Sequence, residues 1–269
     1  MPKPPASSAT EANIQSDRAA KRCEACSERN RLPFDISMAF QPIIDLDRGL
    51  VFAHEALVRG PNGEGAGWVL SQVDEKTRYT FDQTCRVTAI EEAARLGVHR
   101  DGALVSINFL PNAVYEPANC IRATLRAAER ACFPLSSIMF EVTEAEEVRD
   151  TDHLSRIIAS YKEMGFTVAI DDFGAGFAGL SLLSDFRPDL VKLDMKLVRG
   201  IHLDAGRRAI CRGVVGICTD LGIRVIAEGI ETDGELSALR DLGISLVQGY
   251  LFAKPQLGAL YRLGLPGPR

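Results

Sequence analysis

The sequence predicts an α/β protein, a (β/α)8 barrel of the TIM type whose first strand runs antiparallel to the second. Eight short apolar or β-branched segments alternate with amphipathic segments from Met38 onward, which is the pattern of such a barrel. The 269 residues, 46% of them apolar, suffice for one large core, and α/β barrels often use about 250 residues as one domain. Only Leu46 to Gly49 separate the first two strands, and this hairpin length excludes a parallel crossover.

The elements follow in order along residues 38–269, which we expect to form the barrel. Strands are predicted at 38–45, 50–58, 103–109, 137–143, 167–172, 190–194, 223–228 and 245–250. Amphipathic helices are predicted at 82–96, 151–164, 205–221 and 233–242. Residues 1–37 lack sustained periodicity and are rich in Ser, Ala, Pro and charged residues, so we expect an N-terminal arm that is flexible.

Composition restricts the partners and the compartment. The formal net charge of −5 argues against a nucleic-acid polymer as ligand but allows a small anion held through metal ions. No apolar run approaches a membrane span and the N-terminus has no apolar signal region, so we expect a cytoplasmic protein. The seven scattered cysteines indicate reduced thiols. Cys23 and Cys26 form a lone CxxC without two further zinc ligands nearby, which favours an untethered arm over a zinc or redox site.

Polar residues stand near the end of every predicted strand from the second to the eighth. In a parallel barrel these strand ends meet at one face and carry the chemistry. One acid at a strand end is more often a helix N-cap, but seven consecutive strand ends are hard to explain by capping, and a buried carboxylate is costly unless it is paired or bound to a metal. The residues are Glu55, Arg59, Asn108, Glu141, Glu144, Asp171, Asp172, Lys192, Asp194, Glu228, Glu231 and Gln248.

The types of these residues indicate the ligand. Strand alternation puts Glu55, Leu57 and Arg59 on one face and His54 on the other. A carboxylate and a guanidinium on one face suit a metal ion together with an anionic substrate, because arginine matches phosphate bidentately. Carboxylates and an Asn amide oxygen are hard ligands, which favour Mg²⁺ or Mn²⁺, and none of the four histidines lies among these acids in the right phase.

The segment after the fifth strand allows two interpretations. Asp171 and Asp172 can each reach a cation, and two cations about 3.5–4 Å apart clamp the attacking and leaving oxygens of a phosphoryl displacement. Gly174, Gly176 and Gly179 imitate the GxGxxG fingerprint of dinucleotide binding. The two acids oppose a pyrophosphate there, and only about ten residues precede the next strand, so we interpret the glycines as a loop with tight turns.

Eight ordered segments resemble the EAL-domain family of cyclic di-GMP phosphodiesterases, from about Met38 to Pro255. They read AFQPIIDL, HEALVRG, SINFLP, FEVTE, AIDDFGAGFAGL, DLVKLD, VIAEGIET and VQGYLFAKP. The resemblance implies a barrel with an antiparallel first strand, usually dimeric, that hydrolyses one phosphodiester of cyclic di-GMP to linear pGpG. It also implies two Mg²⁺ or Mn²⁺ ions in each site.

The resemblance further implies a role for each matching residue. One metal would be held by Glu55, Asn108, Glu141 and the bridging Asp171; the second would be held by Asp172, with Glu228 close to it. Catalytic roles would fall to Lys192, Glu228, Glu144 and Gln248, where Lys192 contacts the catalytic water, stays cationic, and leaves most of the acidification to the metals. Substrate would be bound by Arg59, Gln41, Leu57 and Asp194, and Glu231 would support the site.

The chain departs from the family pattern at two places. Gly60 stands where the family often has a bulky aromatic residue, and Ala175, Phe177, Ala178 and Gly179 replace residues of a loop that often reads DFGTGYSSL. The altered loop leaves a second hypothesis open, a non-hydrolysing EAL-like cyclic di-GMP receptor or protein-interaction module with an unidentified regulatory partner. A third is an unrelated metal-dependent barrel enzyme such as an enolase-like lyase.

Overall fold

Nine strands form one sheet in the computed structural model, which describes residues 32–114, 117–143, 151–176 and 179–263. The strands are β1 Ser37–Asp45, β2 Leu50–Arg59, β3 Leu104–Asn108, β4 Ile138–Thr143, β5 Thr167–Phe173, β6 Leu190–Leu193, β7 Arg224–Ala227, β8 Leu246–Val247 and β9 Gln256–Leu257. The α-helices in the described ranges are α1 Ala66–Ser71, α2 Arg78–Leu96, α3 Pro117–Cys120, α4 Arg122–Arg130, α5 Thr151–Glu163, α6 Gly179–Phe186, α7 Met195–Val198, α8 Ala205–Leu221 and α9 Asp233–Asp241.

The sheet closes on itself through β1. Strands β2 to β8 run parallel in chain order, and β1 pairs antiparallel with both β2 and β8. This confirms the predicted barrel and its antiparallel first strand. β9, which the sequence pattern did not predict, adds a short antiparallel pairing to β1.

The predicted eighth strand at 245–250 is wrong in length, because β8 contains only Leu246 and Val247. The chain turns directly after it: Ile230 N donates to Gln248 O over 3.1 Å, and a Cβ on Gly249 would lie 2.1 Å from Ile230 O. The apolar residues of this segment therefore pack around a turn instead of continuing the ladder.

Helices α8 and α9 have side-chain caps at their N-termini. The side chain of Asp204 accepts the backbone N–H groups of Gly206 and Arg207 at the start of α8, and Gly222 ends that helix with φ 70°. Thr232 and Glu235 form a reciprocal capping box at the start of α9. These signals explain why α8 begins and ends as the sequence predicts, at residues 205 and 221.

The inside of the barrel contains two layers. The lower layer is an apolar cluster that closes the barrel and consists of Ile43, Ala53, Met139, Ala169, Leu190, Ile226 and Leu246. Side chains two residues apart on a strand share a face, so the next layer towards the mouth is polar and consists of Gln41, Glu55, Ser106, Glu141, Asp171, Lys192, Glu228 and Gln248. β1 runs antiparallel to the other barrel strands, so on β1 the polar Gln41 precedes the apolar Ile43 in the sequence. The apolar layer separates the polar mouth from the opposite end of the barrel.

The segment before β1 packs on the outer core. Leu32, Phe34 and Ile36 are partly buried against it, and the Phe34 ring meets Trp68 edge-on with 6.1 Å between ring centroids. Cys23 and Cys26 of the predicted arm lie outside the described residues. Among the described helices, none has the length and apolar character that crossing a bilayer requires.

Candidate metal centre and active site

The polar layer opens into a cavity of about 310 Å³ at the carboxyl ends of the strands. Ten of the residues predicted from sequence line it: Gln41, Glu55, Leu57, Asp171, Asp172, Lys192, Asp194, Glu228, Glu231 and Gln248. Glu141 lies beneath the cavity floor, fully buried. Glu144 lies outside the described residues, as do Phe177 and Ala178 of the altered loop.

Lys192 stands at the centre of the site. Its Nζ lies 2.6 Å from Glu228 Oε1, 2.8 Å from Glu141 Oε2, 3.0 Å from Asp171 Oδ1 and 3.4 Å from Glu55 Oε2, and the side chain is only 1% exposed. Burial by itself lowers the pKa of Lys192, but the four surrounding carboxylates raise it well above its usual value. The side chain is therefore an ammonium group that holds four acids together.

The acids around Lys192 still carry an excess of negative charge. Burial, and then the nearby carboxylates, raise the pKa of Glu141 to about 8 and that of Glu228 well above its usual range. Burial and the charge of Asp171 raise the pKa of Asp172 to about 6. Burial and the repulsion between the acids both oppose their ionisation, and one ammonium group does not offset these effects, so the site favours further positive charge.

Two groups of oxygen ligands are close enough to hold cations. Glu55, Glu141 and Asp171 form the first, and Asp171, Asp172 and Glu228 form the second; within each group the ligand atoms lie within 4.8 Å of one another. Asp171 belongs to both groups. The donor set is all carboxylate, which fits hard divalent cations.

A local irregularity of β5 brings the adjacent acids together. Regular alternation would place Asp171 and Asp172 on opposite faces of the strand. The pairing of β5 with β6 shifts between Ile170 and Phe173, and Asp172 adopts a left-handed conformation with φ 55°. Such a conformation costs about 1–3 kcal/mol in a non-glycine residue, and here it turns both carboxylates towards the mouth of the barrel.

Two side-chain amides clamp the carboxylate of Glu55. Asn108 Nδ2 donates to Oε1 over 3.0 Å, and Gln248 Nε2 donates to Oε2 over 2.7 Å. Burial by itself raises the pKa of Glu55, but the charge of Lys192 and then these hydrogen bonds outweigh it and lower the pKa. Gln41, from the same layer, donates through Nε2 to Ala253 O over 3.2 Å and ties β1 to the segment after β8.

The other residues predicted from sequence have varied surroundings. Arg59 Nη1 donates to Val58 O over 2.8 Å, and Arg59 is not among the residues that line the cavity. Asp194 lines the cavity and also caps α7, accepting Lys196 N over 2.8 Å. Glu231 lines the cavity and forms an ion pair of 2.7 Å with Arg199.

The surroundings of residue 60 explain why a glycine stands there, one of the two departures from the family pattern. A Cβ at this position would lie 2.4 Å from Glu64 Oε2 and 2.8 Å from the Trp68 ring. Trp68 therefore occupies the space beside Arg59 that a side chain at residue 60 would need. The aromatic group comes from α1 in this chain.

Several residues of the site were missed by sequence reasoning. Met195, Gly229, Gly249 and Tyr250 also line the cavity, and Tyr250 and Met195 are 55% and 48% exposed at its rim. Met195, Gly229 and Gly249 each directly follow a predicted residue, and Tyr250 follows Gly249. Their position just after a strand end could therefore have identified them from the sequence. Ser106, fully buried on β3, donates its hydroxyl to Glu141 Oε1.

A buried ion pair lies behind the strands that carry Asn108 and Glu141. Arg86 and Asp82, both on α2, approach to 2.8 Å, and Arg86 Nη1 donates to Tyr161 OH over 2.7 Å. The guanidinium lies 5.2 Å and 5.3 Å from the ring centroids of Phe109 and Phe140. Asp82 Oδ1 also accepts the backbone N–H of the residue at position 110. Asp82 thus holds the backbone two residues after Asn108, and Arg86 packs on the ring of the residue before Glu141.

Comparison with known proteins agrees with this geometry. A sequence model described as the EAL domain matches residues 27–255. The blue light- and temperature-regulated antirepressor BluF of Escherichia coli K12 is 33% identical over 228 residues, which are 85% of this chain and 56% of that protein. The cyclic di-GMP phosphodiesterase PA2567 of Pseudomonas aeruginosa is 30% identical over 82% of this chain and 38% of that protein. The chain thus spans about half or less of these two relatives.

Solved structures give the same result. A standalone versatile EAL protein from Vibrio cholerae O395, in a c-di-GMP bound form, is 50% identical and superposes with a TM-score of 0.83 over 86% of this chain and 97% of that one. BlrP1 of Klebsiella pneumoniae, in a manganese and cyclic di-GMP complex, is 35% identical with a TM-score of 0.79 over 85% of this chain and 58% of that one. The ordered motifs, the barrel and these matches agree: the chain belongs to the EAL domain family.

Proposed function

We propose that this protein is a metal-dependent phosphodiesterase that hydrolyses cyclic di-GMP to linear pGpG in bacterial second-messenger signalling. The observation that carries the proposal is the pair of carboxylate groups that share Asp171 at the mouth of the barrel. The phosphodiesterase PA2567 and the c-di-GMP-bound Vibrio protein support the choice of substrate.

In the proposed site two Mg²⁺ or Mn²⁺ ions would be held by acids at the mouth of the barrel together with Asn108. The ligands of one would be Glu55, Asn108, Glu141 and Asp171, and those of the other Asp171, Asp172 and Glu228. When bound, the ions supply Lewis acidity at the phosphate and lower the pKa of water. The BlrP1 complexes with manganese and with calcium support divalent cations as the class of cofactor.

The remaining residues would bind and orient. Lys192 stays an ammonium group, so it donates hydrogen bonds to the attacking water and to the acids and does not accept the proton. Gln248 would keep Glu55 in place, and Glu144 would support the loop that follows β4. Arg59, Gln41, Leu57 and Asp194 would contact the nucleotide. The oxygen of one water forms a new P–O bond as one ring P–O bond breaks, one proton of that water ends on the leaving ribose oxygen, and the phosphate remains on the linear product.

The proposal also includes a homodimer in the cytoplasm, regulated by a partner that is not identified. Light scattering coupled to size-exclusion chromatography tests the dimer, and cell fractionation tests the location. The predicted division into an N-terminal arm at residues 1–37 and a phosphodiesterase barrel at 38–269 stays part of the proposal, with the difference that Leu32, Phe34 and Ile36 pack on the core and β1 begins at Ser37.

The deciding experiment is hydrolysis of cyclic di-GMP by the purified chain in Mn²⁺ or Mg²⁺, read by product chromatography with and without chelator. We expect pGpG, loss of product in chelator, and at least a 100-fold loss in Glu55→Gln and Asp171→Asn, taking each as one essential electrostatic contact worth about 10²–10³. Glu91→Gln removes an exposed carboxylate and is the matched control. Unchanged turnover in Glu55→Gln would show that the assigned metal role is wrong.

One observation favours a second candidate function. BluF, at 33% identity, is named an antirepressor, which supports the hypothesis of a non-hydrolysing receptor or protein-interaction module. In that case the chain would bind cyclic di-GMP tightly in Mn²⁺ and release no product over hours. The same chromatography, combined with a binding titration, separates the two functions.

A further inference from the structure

Ser106 occupies the position of β3 in the polar layer of the barrel. Its neighbours in register are Glu55 on β2 and Met139 on β4, and the next residue of β3 on the same face is Asn108. Ser106 is fully buried, so its hydroxyl has to find its partner within the barrel. That partner is Glu141 Oε1.

The two oxygens of Glu141 are held by different kinds of donor. Oε1 accepts the hydroxyl of Ser106, and Oε2 accepts Lys192 Nζ over 2.8 Å. Lys192 is shared among four carboxylates, so it holds the four acids near one another but does not fix the rotation of any single carboxylate about its terminal torsion. The terminal torsion of a glutamate is broad and has no strong minimum of its own. A second donor at Oε1 supplies the missing constraint.

We propose that Ser106 is a positioning residue that fixes the carboxylate of Glu141 in the orientation a divalent cation requires. The inference rests on the proposed cation site, in which Glu141 acts with Glu55 and Asp171. Each carboxylate oxygen has a second lone pair, so a hydrogen bond from Ser106 leaves Glu141 able to bind a cation. Hydrogen-bond partners of metal ligands usually contribute about 10–100-fold to metal affinity.

The test is Mn²⁺ binding by the full chain without nucleotide, followed by the electron paramagnetic resonance signal of the free ion. We expect Ser106→Ala to weaken Mn²⁺ binding about 10-fold or more. Ser106→Cys keeps the side-chain volume approximately but replaces the hydroxyl with a weak donor, so it should also weaken Mn²⁺ binding. In the hydrolysis assay the Mn²⁺ concentration for half-maximal rate should rise, while KM for cyclic di-GMP at saturating Mn²⁺ stays within about two-fold, since no substrate contact is removed.

Ile226→Val is the matched control, because it removes one buried methyl group from the same barrel interior without touching a carboxylate. Thermal unfolding of all variants shows that each is folded before titration. Mn²⁺ affinity of Ser106→Ala within about two-fold of the wild type, or an equal loss in Ile226→Val, would overturn the role of Ser106. Absence of Mn²⁺ binding by the wild type would instead refute the cation site itself.

Discussion

Replacement of Lys192 by methionine tests whether one ammonium group holds the acids together. Methionine keeps the unbranched stem and removes the charge from a side chain that is 1% exposed. Each contact at about 3 Å corresponds to about 5 kcal/mol of attraction at an effective dielectric constant of about 20, opposed by the cost of burial. Removing one partner of a buried ion pair costs about 3–5 kcal/mol. We expect Lys192→Met to lose about this much stability in chelator.

The same variant should respond more strongly to Mn²⁺ than the wild type. The ammonium repels cations that approach the four carboxylates, so its removal strengthens Mn²⁺ binding even though hydrolysis is lost. A ligand at 100 times its Kd stabilises a protein by about 2.7 kcal/mol, and tenfold tighter binding adds about 1.4 kcal/mol. Mn²⁺ should therefore recover much of the stability that the substitution removes.

Urea unfolding at pH 7.5, with chelator and with Mn²⁺, measures both effects. Lys76→Met, which changes an exposed lysine in the same way, is the control and should change stability by less than about 0.5 kcal/mol. A loss below about 1 kcal/mol in chelator would refute the central role of the ammonium. A smaller Mn²⁺ stabilisation of Lys192→Met than of the wild type would refute the competition between lysine and cations.

Three further predictions concern residues around the site. Burial lowers the pKa of His54 to about 4, so between about pH 6.5 and 4 only the unfolded chain binds the proton, and the free energy of unfolding falls as the pH falls. At pH 5 this loss is about 2 kcal/mol, and urea unfolding should show that His54→Gln removes it. Arg86→Met leaves Asp82 buried without its cation and should cost about 3–5 kcal/mol, most of it recovered in the double variant with Asp82→Asn, as a double-mutant cycle by thermal unfolding will show. Gly249→Ala would place a Cβ 2.1 Å from the carbonyl oxygen of Ile230, in the loop after β7, so it should lower the free energy of unfolding by about 1–3 kcal/mol and also lower hydrolysis. Its control is Gly213→Ala in α8, where a Cβ meets open space and should stabilise the fold by up to about 1 kcal/mol.

The barrel and much of its site follow from period-two alternation read along the strands. The spacing that makes Glu55 face inward also makes Ala53 face inward, and the same relation links Lys192 to Leu190. Sequence could therefore predict which side chains reach the mouth. Alternation alone does not predict that Asp171 and Asp172 both do so, because that depends on a register shift and a left-handed residue. Their adjacency at the strand end was the signal that indicated it.

The buried arginine shows a different limit. Its residue type alone would place Arg86 at the surface, since an unpaired buried charge is costly. The structure offsets this cost with Asp82 on the same helix, Tyr161 on α5 and the rings of Phe109 and Phe140, which are distant in sequence. Only the closed barrel brings these groups together, so no local pattern indicates them.

The acids at the mouth of the barrel account for part of the negative net charge of the chain. Five carboxylates, those of Glu55, Glu141, Asp171, Asp172 and Glu228, stand around one ammonium group. Without other cations, burial and then the repulsion between neighbouring carboxylates raise the pKa of Glu141, Asp172 and Glu228. Five ionised carboxylates, one ammonium and two divalent cations together carry no net charge. The proposed two-ion site is thus the composition at which the buried acids all ionise without repelling an anionic phosphodiester.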